Sequence, residues 1–389
     1  MSTLRIAALG LFCITVSSLP VVCANALTLQ QRSVKAIASS TTDQNGASFS
    51  LGGLSGITYA GGSRFWAVMD NSNKVVALDV SFTANGSIAS NSVAGGISLT
   101  NSFDFEGIAY SNSVRNSVFL SEETTPAVRE YSLANGASLQ TVSTPSIYST
   151  RVSNFGFESL SRGAGTMWTA NEEALPGDGA LSTPTTGTVV RLQKMTVSGN
   201  TATAAAQYAY PVNPIHRSIN DGPRTAGSTS RSGLSEMVVL PNGNLLTLER
   251  DFARAGTADL SSEYENRIYS VDPAGATNVS ALPGLLGQSY TVAPKSLLWS
   301  ADTGLFSGAG IGNLEGLALG PQLANGNWVV LGIVDNNLGN DPLSKNTLVA
   351  FELAGDVPEP VSLTLGLAAA TLLLRPNRRR FSQGSISEE

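Results

Sequence analysis

One short pattern, an acidic or hydroxyl residue opening a strand rich in Gly, Ile and Leu, occurs five times and limits the fold more than any other feature. The copies read Leu54-Ser55-Gly56-Ile57, Phe105-Glu106-Gly107-Ile108, Phe157-Glu158-Ser159-Leu160, Leu234-Ser235-Glu236-Met237 and Leu314-Glu315-Gly316-Leu317. About one hairpin later each is followed by another acid, in runs that reach Asp70, Glu122-Glu123, Glu172-Glu173, Glu249-Arg250 and Asp335-Asn336-Asn337. Self-similarity at a period of roughly 40 to 60 residues marks a propeller or solenoid, in which one repeat cannot bury its apolar face alone.

The segments between the copies contain short β-rich runs separated by turns such as Pro241-Asn242-Gly243, with no sustained helical period. The chain therefore reads as all-β. Four runs separate successive copies, the fourth unit using 236–240, 244–249, 266–272 and 276–282. The last unit has only three, 315–319, 327–334 and 346–353, and the run 28–38 ahead of the first copy supplies the fourth. Pairing that N-terminal strand into the final unit closes a ring and removes an exposed sheet edge. The fold class predicted is a β-propeller of five four-stranded blades closed by an N-terminal strand. Six blades is the alternative, because two units carry long insertions.

In such a ring the innermost strand of each blade starts at the rim of the central channel, and the second strand returns to that rim. Ser55, Glu106, Glu158, Glu236 and Glu315 begin inner strands, and Asp70, Glu122, Glu172, Glu249 and Asp335 end second strands. Both sets are expected at one channel mouth. Gathered carboxylates repel and lose hydration, so they rise in pKa or are neutralised by a cation. Oxygen ligands suit Ca²⁺, with Asn336 and its neighbours adding neutral oxygens. The predicted metal ligands are Glu106, Glu158, Glu236, Glu315, Asp70, Glu249, Asp335 and Asn336. The opposing reading is that each acid caps its own hairpin by hydrogen-bonding backbone amides of the next blade.

Both cysteines, Cys13 and Cys23, fall in an apolar N-terminal segment that ends on Ala24-Asn25-Ala26, which reads as a signal peptide over 1–26. A lipoprotein cysteine at Cys23 is the alternative. The mature domain, 27–356, is then free of cysteine, which excludes disulfides and thiolate chemistry. Removing Arg5 and four tail arginines leaves 18 of 23 basic residues, and removing Glu359, Glu388 and Glu389 leaves 26 of 29 acidic ones, a formal charge near −8. No basic stripe is available for phosphates of nucleic acid. Cations are the favoured partners.

The C-terminus carries Val357-Pro358-Glu359-Pro360, an apolar run from Val361 to Leu374, and Arg375, Arg378, Arg379 and Arg380, followed by a polar tail over 381–389. This segment, 357–380, resembles the PEP-CTERM sorting signal of Gram-negative bacteria. The resemblance implies a transient transmembrane anchor, processing by an exosortase, and delivery to the cell envelope or extracellular matrix. A run of fourteen apolar residues before a basic cluster also reads simply as a short stop-transfer segment.

Taken in order, the repeated motifs resemble the esterase-like phytase family, and the acid pattern is similar to that of paraoxonase and gluconolactonase propellers, whose calcium sits at the channel mouth. The resemblance implies a secreted hydrolase of a small anionic ester or phosphomonoester that uses a divalent cation; a monomer is expected. Glu122, Glu123, Glu172 or Glu173 would serve as base, with Arg217, Arg224, Arg231 or Lys295 meeting phosphate. Arg250 is either an ion-pair partner of Glu249 or a contact to an anionic substrate. His216, the only histidine, sits in a Pro-rich loop with no G-x-S-x-G elbow and is the one imidazole base available. The predicted catalytic residues are Glu122, Glu172, His216 and Arg250. The competing function is a non-catalytic surface- or matrix-binding propeller with a structural calcium.

Overall fold

The computed structural model describes residues 26–163, 165–306 and 310–355. Within them the backbone is almost entirely β, with four short 3-10 turns as its helical content. The predicted signal peptide, apart from Ala26, and the predicted sorting signal lie outside the described residues. Among the described residues no helix is long and apolar enough to cross a membrane.

Five four-stranded antiparallel sheets form the blades. From the channel outward, blade 1 is Leu54–Gly61, Arg64–Met69, Ser72–Phe82 and Ile88–Phe103, and blade 2 is Phe105–Tyr110, Ser117–Glu122, Ala127–Ser132 and Ser138–Val142. Blade 3 is Ser161–Gly163, Thr166–Ala170, Thr188–Ser198 and Thr201–Val212. Blade 4 is Arg231–Val239, Leu245–Ala253, Glu263–Val271 and Lys295–Gly304. Blade 5 is Leu314–Gln322, Trp328–Val334 and Thr347–Ala354, and its outer strand is the N-terminal Thr28–Ala36, paired Thr28 to Ala354 through Ala36 to Thr347. The five-blade count and the closing strand are as the repeats predict.

One run differs from the expectation. Residues 276–282 are not a strand of blade 4. They lie along the outer edge of blade 3, where the Val279 amide donates to the Gln207 carbonyl and Tyr208 bridges Asn278. The outer strand of blade 4 comes later, at Lys295–Gly304. A polar, alternating run pairs with whichever edge is free, and sequence alone does not say which.

Each junction between neighbouring blades has its own apolar cluster. Phe65, Val76 and Leu78 of blade 1 meet Leu331, Ile333 and Ala350 of blade 5. Corresponding clusters join blades 4 and 5, 3 and 4, 1 and 2, and 2 and 3. A buried Leu, Val or Phe contributes about 1.5–3 kcal/mol, so the ring is held by its junctions. At the channel the inner strands approach too closely for side chains. A Cβ on Gly56 would lie 2.5 Å from the Glu106 carbonyl oxygen, and one on Gly107 would lie 2.3 Å from the Leu160 nitrogen. Glycine after the motif residue is thus a packing requirement in blades 1, 2 and 5.

Candidate functional site at the channel mouth

Strand register decides which repeated residues reach the mouth. The first residue of each motif pairs across to the second strand: Leu54 with Met69, Phe105 with Glu122, Phe157 with Asn171, Leu234 with Glu249 and Leu314 with Val334. The residues that follow these partners are Asp70, Glu123, Glu172, Arg250 and Asp335. The backbone repeats at this level. The Asp70 amide donates to the Gly53 carbonyl at 2.6 Å, Glu123 to Asp104 at 2.9 Å, Glu172 to Gly156 at 3.0 Å and Asp335 to Asn313 at 2.9 Å. On the inner strands the matching second positions are Ser55, Glu106, Glu158, Ser235 and Glu315.

Four acids and one arginine therefore form the outer ring of the mouth, and three acids and two serines form the inner one. Side chains alternate in a strand, so a slip of one residue sends a group to the opposite face. That slip accounts for three predicted residues that are elsewhere. Glu122 is turned away and pairs with Arg129 at 2.7 Å. Glu249 accepts from the Tyr210 hydroxyl at 2.7 Å and the Asn213 amide at 3.0 Å, and is bound by the Lys295 ammonium. Glu236 occupies the glycine position of its motif, and its carboxylate accepts from the Leu160 and Met237 amides at 3.1 and 2.9 Å. The capping reading is correct for Glu236, and for Asn336, whose Oδ1 accepts from the Gly53 amide at 3.3 Å.

His216 is also away from the mouth. Its Nδ1 lies 3.1 Å from Asp251 Oδ1 and its Nε2 lies 2.9 Å from Glu263 Oε1. Burial opposes its charged form, but the Asp251 and Glu263 carboxylates raise its pKa overall. An imidazole held at both nitrogens by carboxylates is a clamp on the loop, not a base over the channel. The other cations proposed for phosphate are mostly consumed internally. Arg217 pairs with Glu263, Arg224 with Glu173, and Lys295 with Glu249. Arg231 alone of that group lines the cavity.

The cavity at the mouth has a volume of about 610 Å³. Asp70, Glu106, Glu158, Glu315, Asp335 and Arg250 line it, as do Glu123, one of the candidate bases, and Asp104, a carboxylate that the sequence reading omits. Asp104 stands just before the second motif copy and Glu123 just after Glu122; only the pairing register separates them from their neighbours. Two groups of carboxylates each bring three ligand oxygens within 4.8 Å of one another: Asp70, Asp104 and Glu106, and Glu123, Glu158 and Glu172. At an effective dielectric near 20, each ionised pair at such a distance repels by about 3–4 kcal/mol.

The protonation of the site follows. Burial, then hydrogen bonding to the Asp104 carboxyl, pushes Asp70 up to about 7. Burial and the charges of Glu172 and Asp104 push Glu123 up to about 8. Burial likewise raises Glu106, with Glu158 and Asp70 adding repulsion, and Glu158, with Glu172 and Glu123 adding theirs. Arg250 is the built-in counter-charge. Its guanidinium donates to Glu172 at 2.5 Å, to Asn313 Oδ1 at 2.7 Å and to Glu315. Gly233 leaves room for Glu172, because a Cβ there would lie 2.4 Å from Glu172 Cγ.

One arginine does not satisfy the set. Asp104 Oδ1 and Glu172 Oε2 are buried without a hydrogen-bond partner, and Arg231 lies 3.5 Å from the latter. Buried unpaired carboxylate oxygens beside other carboxylates are a donor set that fits a hard divalent cation with oxygen ligands. Asp70, Asp104 and Glu106 are the residues suited to hold it.

Five four-stranded blades around one acidic mouth define a β-propeller. The chain belongs to the phytase-like family described by the esterase-like activity of phytase, which matches it over residues 50–338. No curated protein matches it. Among solved structures it is similar to a streptogramin B lyase, at 11% identity and a TM-score of 0.33, covering 84% of this chain and 98% of that one. A luciferin-regenerating enzyme gives 11% identity and a TM-score of 0.38, covering 83% and 95%. The PQQ-bound aldose sugar dehydrogenase of Streptomyces coelicolor gives 13%, 0.35, 83% and 98%. At these scores none of the superpositions bears on chemistry.

Proposed function

We propose that the protein is a secreted, envelope-sorted hydrolase of ester bonds that works with a divalent cation, most suitably Ca²⁺, at the channel mouth. The observation that carries this reading is the convergence of Asp70, Asp104 and Glu106 on one cavity with a buried carboxylate oxygen left unpaired. When bound there, a cation supplies positive charge beside a carbonyl or phosphoryl oxygen.

The chain's own residues supply the rest. Glu123 lines the cavity with a pKa raised to about 8 in the cation-free site, and a cation held beside it would lower that value toward the range of a general base at neutral pH. Water adds its oxygen to the ester carbonyl carbon as Glu123 takes its proton. The bond from that carbon to the alcohol oxygen then breaks, and the alcohol leaves with the proton that Glu123 returns. Arg250 holds Glu172 and Glu315 in place and limits the negative charge the cavity presents.

The test is turnover of p-nitrophenyl esters and phosphates by the purified protein with calcium or with a chelator. Calcium-dependent hydrolysis that falls about 100-fold or more in Asp70→Asn and Glu106→Gln supports the reading; equal turnover without cation removes it. One observation favours the non-catalytic alternative. Asp70 follows a strand of blade 1, whereas Asp104 and Glu106 adjoin blade 2, so a cation there would also staple two blades together. Calcium that raises the melting temperature with no turnover of any substrate would support that structural role.

A further inference from the structure

Blade 4 differs from its neighbours at the mouth. The second strands of blades 1, 3 and 5 end at Met69, Ala170 and Val334, before their ring residues, whereas Leu245–Ala253 continues three residues past Arg250. Its partner Glu263–Val271 runs alongside, pairing Phe252 with Tyr264. The hairpin projects beyond the ring and forms one wall of the cavity. On that wall the Phe252 and Tyr264 rings pack with centroids 4.6 Å apart at 45°. Leu260, from the connecting loop, and Leu305, at the far end of the blade, complete it with Pro342 and Leu343 of blade 5. Leu260 and Leu305 are 54% and 44% exposed, which is apolar surface kept at the lip of an acidic cavity.

The charges argue in the same direction. Nine carboxylates and three guanidinium groups line the cavity, with no lysine. Arg250 is bound to Glu172 and Glu315, Arg254 to Asp259 at 2.7 Å, and Arg231 lies 3.5 Å from Glu172. A polyphosphorylated substrate needs several free cationic donors, and here all three arginines are already paired with carboxylates.

Resting on the hydrolase reading above, we propose that the site takes uncharged esters with an aromatic or medium-chain acyl group, which lies on the blade 4 wall, and that it discriminates against inositol polyphosphates. The acid end receives the ester group; the Phe252–Tyr264–Leu260 wall receives the apolar end. Pockets of a few hundred Å³ with apolar walls and a few convergent polar groups are the usual form of small-molecule sites.

Two measurements on the full protein with calcium separate this proposal from the hydrolase reading. The first compares kcat/KM on p-nitrophenyl octanoate and acetate in wild type, Phe252→Ala and Leu260→Ser. Leu260 is exposed in a loop, so its replacement leaves the fold intact. The octanoate-to-acetate ratio should exceed one in wild type and fall about tenfold in the variants. The second is calorimetric binding of p-nitrophenyl octyl ether, which cannot be hydrolysed, against inositol hexakisphosphate. The ether should bind more tightly, and the variants should weaken it about tenfold. Wall-dependent ether binding with no turnover would defeat the hydrolase reading and leave the wall standing. Ester turnover with an unchanged octanoate-to-acetate ratio, or tighter binding of the hexakisphosphate, would overturn the proposal.

Discussion

Glu122 and Glu123 are adjacent in sequence and opposite in fate. Glu123 looks into the cavity beside Glu158 and Glu172; Glu122 is held by Arg129 on the other side of the strand. Glu123→Gln is accordingly expected to lower kcat of ester hydrolysis by about 10²-fold or more, the scale of a lost general base. Glu122→Gln should lose about 1.5–3 kcal/mol of stability, because its carboxylate is buried against Arg129, with kcat/KM within about twofold of wild type. Steady-state kinetics on the two variants read the register directly. Arg250 is the second decisive residue. Replacing it with Met leaves Glu172 and Glu315 without their counter-charge in a buried site, a loss of about 3–5 kcal/mol. Urea unfolding near pH 7 checks this, and added calcium should restore part of the loss.

The strands explain which parts of this could be read in advance. The period of the motif, the missing fourth strand of the last blade and the N-terminal run together define a closed five-bladed ring, and Thr28–Ala36 does pair with Thr347–Ala354. Deleting Thr28–Ala36 would leave that strand as an open edge, so the truncated protein should melt at least about 10 °C lower and aggregate on heating, as light scattering would report. Glu106, Glu158, Glu315, Asp70 and Asp335 were legible because Phe, Leu, Met or Val marks the residue before each as core. In the fourth copy, Leu234-Ser235-Glu236-Met237, the more acidic residue attracts attention, yet Leu234 pairs with Glu249 and makes Ser235 the mouth residue. The same pairing exchanges Glu249 for Arg250. Side-chain alternation contains that information, but only once the cross-strand partner is known. Asp104 carries no repeat signal at all; Gly53, Gly156, Gly233 and Asn313 occupy its place in the other blades.

For the whole molecule, the cost of gathering these acids appears as pH dependence. Asp70 and Glu123 bind protons more tightly in the folded state, with pKa near 7 and 8, than unfolded carboxyls do near 4. Their stabilisation is complete below pH 4 and is lost as pH rises through about 7–8, because the folded state holds the extra protons in that window. The cation-free protein should therefore melt roughly 5–10 °C lower at pH 8 than at pH 5.5. Saturating calcium should remove most of the difference at pH 8, since it binds the ionised, folded site. The central claim is that the carboxylates of the mouth jointly hold a divalent ion, and equilibrium calcium titration by calorimetry tests it most directly. Wild type should bind saturably, Glu106→Gln should bind at least about tenfold more weakly, and Glu236→Gln, whose carboxylate answers backbone amides, should bind as wild type does. No saturable binding by the wild type, or equal losses at Glu106 and Glu236, would contradict the account.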